Sequence, residues 1–221
     1  MRLASWIAPG GGEELALHLG PDDSTVRLLV LPAWFDEDGG LRHFTVEVLR
    51  LLAADGVASV LPDLPGCNES LTPLEGQTLD GWCEAALAAA QAHRATHVLT
   101  IRAGAALATA LPGWAYAPLA GKAALRRLLR AQAMAAKEAG QPESAEALLE
   151  RGKAAGVTLA GWTMGPRLVS DLAGLDLATG DLAVIAQEQL GGPGLWLRAE
   201  PEHDPAQAER LARIILTDLA R

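Results

Sequence analysis

The sequence predicts an α/β protein: an open, doubly wound, mostly parallel sheet with helices on both faces. Three observations carry this. Short runs at 26–31 and 57–61 are apolar at nearly every position, as strands covered on both faces must be. Between them, Phe44, Val48, Leu51 and Leu52 recur at helical spacing over 41–54, which completes a β-α-β unit. The same alternation of short apolar runs and helical stretches then continues to the end of the 221 residues.

The elements follow in order. Residues 79–93 are alanine-rich and read as a helix, 97–101 as a strand, and 105–111 as a helix broken at Pro112. A strand at 114–117 comes next. Over 121–139, Leu125, Leu128, Leu129 and Met134 form an amphipathic stripe that ends at Gly140 and Pro142. A second short helix is expected at 143–153, then a strand at 157–162 and a helix at 166–175. Strands at 182–186 and 195–199 and a helix from Pro205 complete the chain. The glycine clusters at 10–12 and 191–194 read as turns. The expectation is one domain over 1–221, with 121–153 as a small helical lid.

Composition narrows the function. Half of the residues are hydrophobic, so the chain can bury a core and offset its ordering entropy. No apolar run is long enough for a membrane span. Eighteen Lys and Arg against 27 Asp and Glu give a formal charge of -9, a field that repels nucleic-acid phosphates and anionic lipid. The amino terminus reaches Pro9 before any secretory apolar region forms, and the two cysteines suit a reducing compartment, so a cytoplasmic location is expected. No phosphate-loop, Gly-x-Gly-x-x-Gly, HExxH or CxxC pattern occurs, so neither a nucleotide, a metal nor another cofactor is expected.

In an open parallel sheet the ligand site lies at the carboxyl ends of the strands. The loop after the second strand reads Asp63-Leu64-Pro65-Gly66-Cys67-Asn68-Glu69-Ser70 and resembles the Asp-x-x-Gly-x-Gly-x-Ser turn of α/β-hydrolases, with Asn68 at the second Gly. The strand 97–101 then enters a tight turn where that fold places its nucleophile elbow. Laid on Gly-x-Ser-x-Gly, this turn is Thr100-Ile101-Arg102-Ala103-Gly104. The nucleophile position therefore holds Arg102, and a guanidinium cannot attack an acyl carbon.

With Arg at the elbow, the chain resembles the second branch of hydrolase-like proteins associated with the exosortase A (PEP-CTERM) system. Supporting stretches are Leu31-Pro32-Ala33-Trp34-Phe35-Asp36-Glu37 leading to Arg42, the Asp63 loop, the elbow, Ala117-Pro118-Leu119-Ala120-Gly121-Lys122, Ala160-Gly161-Trp162, and Leu195-Trp196 with Glu200. The sequence departs from the family at Trp34-Phe35-Asp36, where Phe-Ala-Glu is usual, and at Thr100. The resemblance implies an α/β-hydrolase fold and a link to exopolysaccharide production and protein sorting at the cell envelope.

Acyl transfer needs a nucleophile, a base, an orienting acid and an oxyanion hole. His203 after the last predicted strand and Glu188 after the preceding one stand where that fold carries base and acid. Cys67 is the candidate substitute nucleophile, provided that a cation activates it. Arg102 has two readings: it binds a carboxylate or phosphate, or it pairs with Glu37 and seals the pocket. Arg42 and Asp63 would extend such a network, unless Asp63 shapes its own turn instead, while Trp34 and Trp196 line an apolar pocket or fill core. The cluster Arg126, Arg127 and Arg130 reads first as a solvated helix face, with an anion-binding patch beside a site as the other reading. The leading expectation is a degenerate hydrolase that binds a small anionic ligand or a protein partner. The alternative is an esterase or thioesterase acting through Cys67.

Overall fold

The computed structural model describes residues 1–107, 109–177, 179–198 and 203–221. Strands β1 (Arg2–Ile7), β2 (Glu13–Leu19), β3 (Arg27–Leu31), β4 (Ala58–Pro62), β5 (His97–Ile101), β6 (Gly113–Tyr116), β7 (Val157–Leu159), β8 (Trp162–Met164) and β9 (Ala183–Ile185) form two sheets. The larger has seven strands in the order β1-β2-β4-β3-β5-β6-β9. Parallel pairing joins β4 to β3, β3 to β5, β5 to β6 and β6 to β9. The β1-β2 hairpin adds antiparallel pairing at one edge.

Helices cover both faces. On one side lie α1 (Asp36–Ala54) and α7 (Pro205–Leu219), around a core of Phe44, Val48, Leu99, Tyr116 and Leu211. On the other lie α2 (Leu79–Ala92), α3 (Gly121–Glu138), α4 (Ala145–Ala155) and α5 (Pro166–Gly174), packed on Leu29, Leu31, Val60 and Val98. The helix starts follow capping chemistry. The Thr78 hydroxyl accepts from the Gly81 N–H, Asp204 accepts from Gln207, and Pro166 and Pro205 occupy first-turn positions where a missing N–H costs nothing. Among the described residues, no helix is long and apolar enough to cross a membrane.

One hairpin goes beyond the expectations, and three expectations need correction. The hairpin β1-β2 is unpredicted by apolar pattern, because Leu3 and Ile7 face solvent while Trp6 is buried. The stretch 157–162 is a hairpin rather than one strand: Ala160 and Gly161 both take positive φ, 49° and 90°, as a tight two-residue turn between β7 and β8 requires. The expected helix 105–111 is replaced by a short 3-10 turn, Arg102–Ala106. The expected strand 195–199 is a 3-10 turn over Leu195–Leu197, and Ala199 lies outside the described residues. Its apolar residues serve packing, with Leu195 buried and Trp196 turned to the elbow.

Candidate functional site: the elbow and its cleft

Strand β5 delivers Arg102 to the carboxyl edge of the sheet. Arg102 takes φ 53°, a left-handed conformation that only a tightly determined turn imposes on a non-glycine residue. Gly104 lets the turn close: a Cβ there would meet the carbonyl oxygens of Leu31 and Pro32. Phe35, just before α1, also has positive φ, 58°. Two strained residues thus stand on adjacent strand ends, where strain marks a site rather than a defect.

Arg102 is buried, and its guanidinium donors are engaged. Nε donates to Glu37 Oε2 at 2.9 Å, Nη2 to Glu37 Oε1 at 3.3 Å and Nη1 to the Ala117 carbonyl at 2.7 Å. The guanidinium carbon also lies 4.0 Å from the centroid of Trp196, a cation–π contact. Of the two sequence readings, the geometry is therefore that of the internal ion pair. Glu37 is in the first turn of α1, not in a loop, and it takes a second partner: Arg127 of α3 bonds Glu37 Oε1 and donates to the Trp196 carbonyl at 3.2 Å. The pairing of Arg127 with Glu37 is what sequence reasoning missed. Arg127 reads as one of three solvated arginines, and nothing in its own helix signals a partner 90 positions away.

Arg42 and Asp63 do not extend this pair; they build a separate cluster, in which Asp63 is bonded within its own loop, the other reading that the sequence offers for it. On α1, Asp38 and Arg42 are one turn apart and share a face that Glu37 does not, because each residue rotates the helix by about 100°. Arg42 lies 3.7 Å from Asp38 and 3.4 Å from Asp63, whose Oδ1 also accepts from Asn68 at 3.1 Å. Burial pushes the Asp38 carboxyl up to about 6, against the pull of Arg42 and the Asn68 hydrogen bond, and the Asp63 carboxyl upward too. Folded Asp38 thus keeps a proton that the unfolded chain has lost, so its contribution makes stability fall as pH rises from about 4 to about 6. Asp38→Asn is expected to remove that fall, about 3 kcal/mol at most. Urea unfolding across this pH range reads the difference between the two proteins; a difference independent of pH would refute it.

The three candidate catalytic residues do not meet. Cys67 sits below this cluster, and burial together with Asp38, Asp63 and Glu14 pushes its thiol up, away from the thiolate that a nucleophile needs. The cation that would activate it is instead shared by Asp38 and Asp63. Ser70 closes its own turn, accepting from the Gly66 and Thr72 N–H groups while it donates to Glu14. His203 is exposed and stacks on His43, ring centroids 4.4 Å apart. Glu188 is exposed on the short helix α6 (Gln187–Leu190). Its neighbour Gln187 turns inward, accepts from the Tyr116 hydroxyl and donates to Gln207 at 3.0 Å. Neutral side chains thus hold the position next to the last parallel strand. Trp34 is core, 4% exposed and 5.2 Å from the Trp82 ring. Trp196 is half-buried beside Arg102.

Above the pair opens a cleft of about 520 Å3. Phe35, Trp162, Trp196 and Leu128 supply its apolar wall, and Gly39 and Gly40 leave open space at the start of α1. Its charged rim is Asp36, Glu37, Arg127 and Arg198. The Trp162 indole donates to Asp36 at 2.9 Å, which fixes that ring against Phe35.

No family model matches the sequence, and no curated protein matches it. Solved structures do match in shape. A candidate hydrolase of Agrobacterium vitis covers 98% of this chain and 98% of its own, at 17% identity and a TM-score of 0.55. A proline iminopeptidase-related protein of Thermus thermophilus is 23% identical over 68% of this chain, with a TM-score of 0.46. An epoxide hydrolase of Vigna radiata aligns over 48% of it, at 15% identity and a TM-score of 0.40. This chain spans 60% of the length of the iminopeptidase-related protein and 33% of that of the epoxide hydrolase. The end-to-end match and the mostly parallel sheet with helices on both faces identify the chain as a protein of α/β-hydrolase fold.

Proposed function

We propose that the chain is a degenerate hydrolase that binds a small anionic ligand in the cleft above Arg102, with 121–153 as the cap that carries Arg127 to it. The observation that carries this reading is the filled elbow. Where acyl transfer requires a nucleophile, a buried guanidinium is tied to Glu37, Ala117 and Trp196. Arg102 then positions Glu37 and Trp196, while the cations that line the cleft are Arg127 and Arg198. In a chain of charge -9 the rim brings two guanidinium groups to one cleft, where a carboxylate or phosphate can be held bidentately, and the indoles of Trp162 and Trp196 suit a flat or apolar body. The resemblance to exosortase-associated proteins adds a setting, a pathway of envelope protein sorting or exopolysaccharide production.

A panel of p-nitrophenyl esters and thioesters tests it on the wild type, Arg102→Ser, Cys67→Ala and His203→Ala. The expected result is no turnover above buffer in any of them, Arg102→Ser included, because no imidazole stands at the elbow to activate a new hydroxyl. Wild-type turnover abolished by Arg102→Ser would overturn the proposal. Turnover lost in Cys67→Ala and His203→Ala with the fold intact would establish a relocated hydrolase site.

A further inference from the structure

At the opposite edge of the sheet from the cleft, where β3 and β4 begin and α2 ends, lies a second concavity of about 270 Å3. Strand register builds one wall. Arg2 of β1 is the cross-strand partner of His18 of β2, which in turn is paired with Val60 of β4. Val60 is partnered with Leu29 of β3, and Arg27 stands two residues earlier on that strand. Because alternate side chains share a face, Arg2, His18 and Arg27 all project from the same side of the sheet. His93 and Arg94 at the end of α2 face them. The rings of His18 and His93 meet edge to face with centroids 4.8 Å apart.

Two features of this concavity stand apart from the cleft, although Arg2 and Arg27 both bond Asp22. The Nε2 atoms of His18 and His93 are both buried without a hydrogen-bond partner. An unmet buried polar group costs about 1–3 kcal/mol, so two side by side mark a place completed by a third group. The second feature is charge. Acidic residues outnumber basic ones in the chain, 27 to 18, yet this concavity gathers three arginines around one carboxylate, Asp22. Asp22 already pairs with Arg2 at 3.1 Å.

The geometry points to an oxyanion site of phosphate class, held by Arg2, Arg27 and Arg94 with the Nε2–H groups of His18 and His93 as donors. Neutral imidazole donates from Nε2 when the proton sits there, so the site needs no protonation to form. A divalent cation would meet the opposition of three guanidinium groups, and no group of three His, Cys, Asp or Glu side chains is placed to hold a metal ion among the described residues. The imidazole titrations fit a positive local field. Burial, then His18 and Arg2, push His93 down to about 4; burial and Arg2 lower His18, with Asp22 acting the other way. A bound anion opposes the cationic influence and raises both values.

The test follows the imidazole NMR signals of the full chain during titration with inorganic phosphate, at constant ionic strength set with chloride. The expected result is a saturable shift at His18 and His93 and none at His43 or His203, with the His93 titration midpoint moved upward. Arg27→Gln with Arg94→Gln should weaken binding by about tenfold or more while the His43 and His203 signals report an intact fold. A small phosphate monoester titrated in parallel separates an esterified phosphate from the free ion; saturable binding of either supports the site. No saturable shift with both ligands, equal affinity in the double variant, or a response to zinc alone would overturn it.

Discussion

Glu37→Ala is expected to lower the unfolding free energy by about 3–5 kcal/mol, the range for a buried charge stripped of its partner. The carboxylate is 10% exposed and receives two bonds from Arg102, itself 8% exposed, and one from Arg127. Without it, Arg102 keeps only the Ala117 carbonyl and the Trp196 ring as partners for a largely buried guanidinium. Arg127 is half-exposed and regains solvent, so the cost is concentrated on Arg102. Adding Arg102→Met should recover more than half of the loss, because an apolar side chain of similar length removes the stranded charge and keeps the packing on Trp196. Urea midpoints at constant m-value measure both. A Glu37→Ala cost below about 1 kcal/mol, the scale of an exposed pair, would mean that the elbow is not held by this ion pair.

What the sequence made legible and what it hid divide along the range of the interactions. Strands β3, β4 and β5 declare themselves because both faces are covered and most positions are apolar. Helices α1 and α2 declare themselves by periodicity, although the start of α1 reads as loop because its first turn is acidic rather than apolar. The strand β1 hides since its outward residues, Leu3 and Ile7, are as apolar as the inward Trp6. At the site, Arg102 and Glu37 were legible as a candidate pair from their places on neighbouring strand ends. The choice between pairing and ligand binding was not, because it depends on the angle at which α1 presents Glu37. The same angle sends Asp38 and Arg42 to a different cluster. Trp196 shows the limit most clearly: an apolar run of Leu195, Trp196 and Leu197 suggests a strand, whereas the indole is used as a plate against a guanidinium.

Gly104→Ala is expected to cost about 3 kcal/mol or more, the upper end of overpacking, since the obstruction is main chain and has no rotamer to change. A Cβ at this position would come within 2.5 Å of the Leu31 carbonyl oxygen and closer still to that of Pro32. Relief requires β5 to draw away from the end of β3, and those two strand ends carry Arg102 on one side and the lead into Phe35 and Glu37 on the other. The same substitution should therefore loosen the Arg102–Glu37 geometry along with the strand packing. Gly39→Ala is the matched control. Gly39 lies inside α1 with open space where its Cβ would be, so alanine there should stabilise by about 0.5–1 kcal/mol through helix propensity. Thermal or urea unfolding of the pair distinguishes close approach from backbone freedom. Equal and small effects at the two glycines would show that the elbow tolerates a side chain, and the tight turn that presents Arg102 would then need another cause.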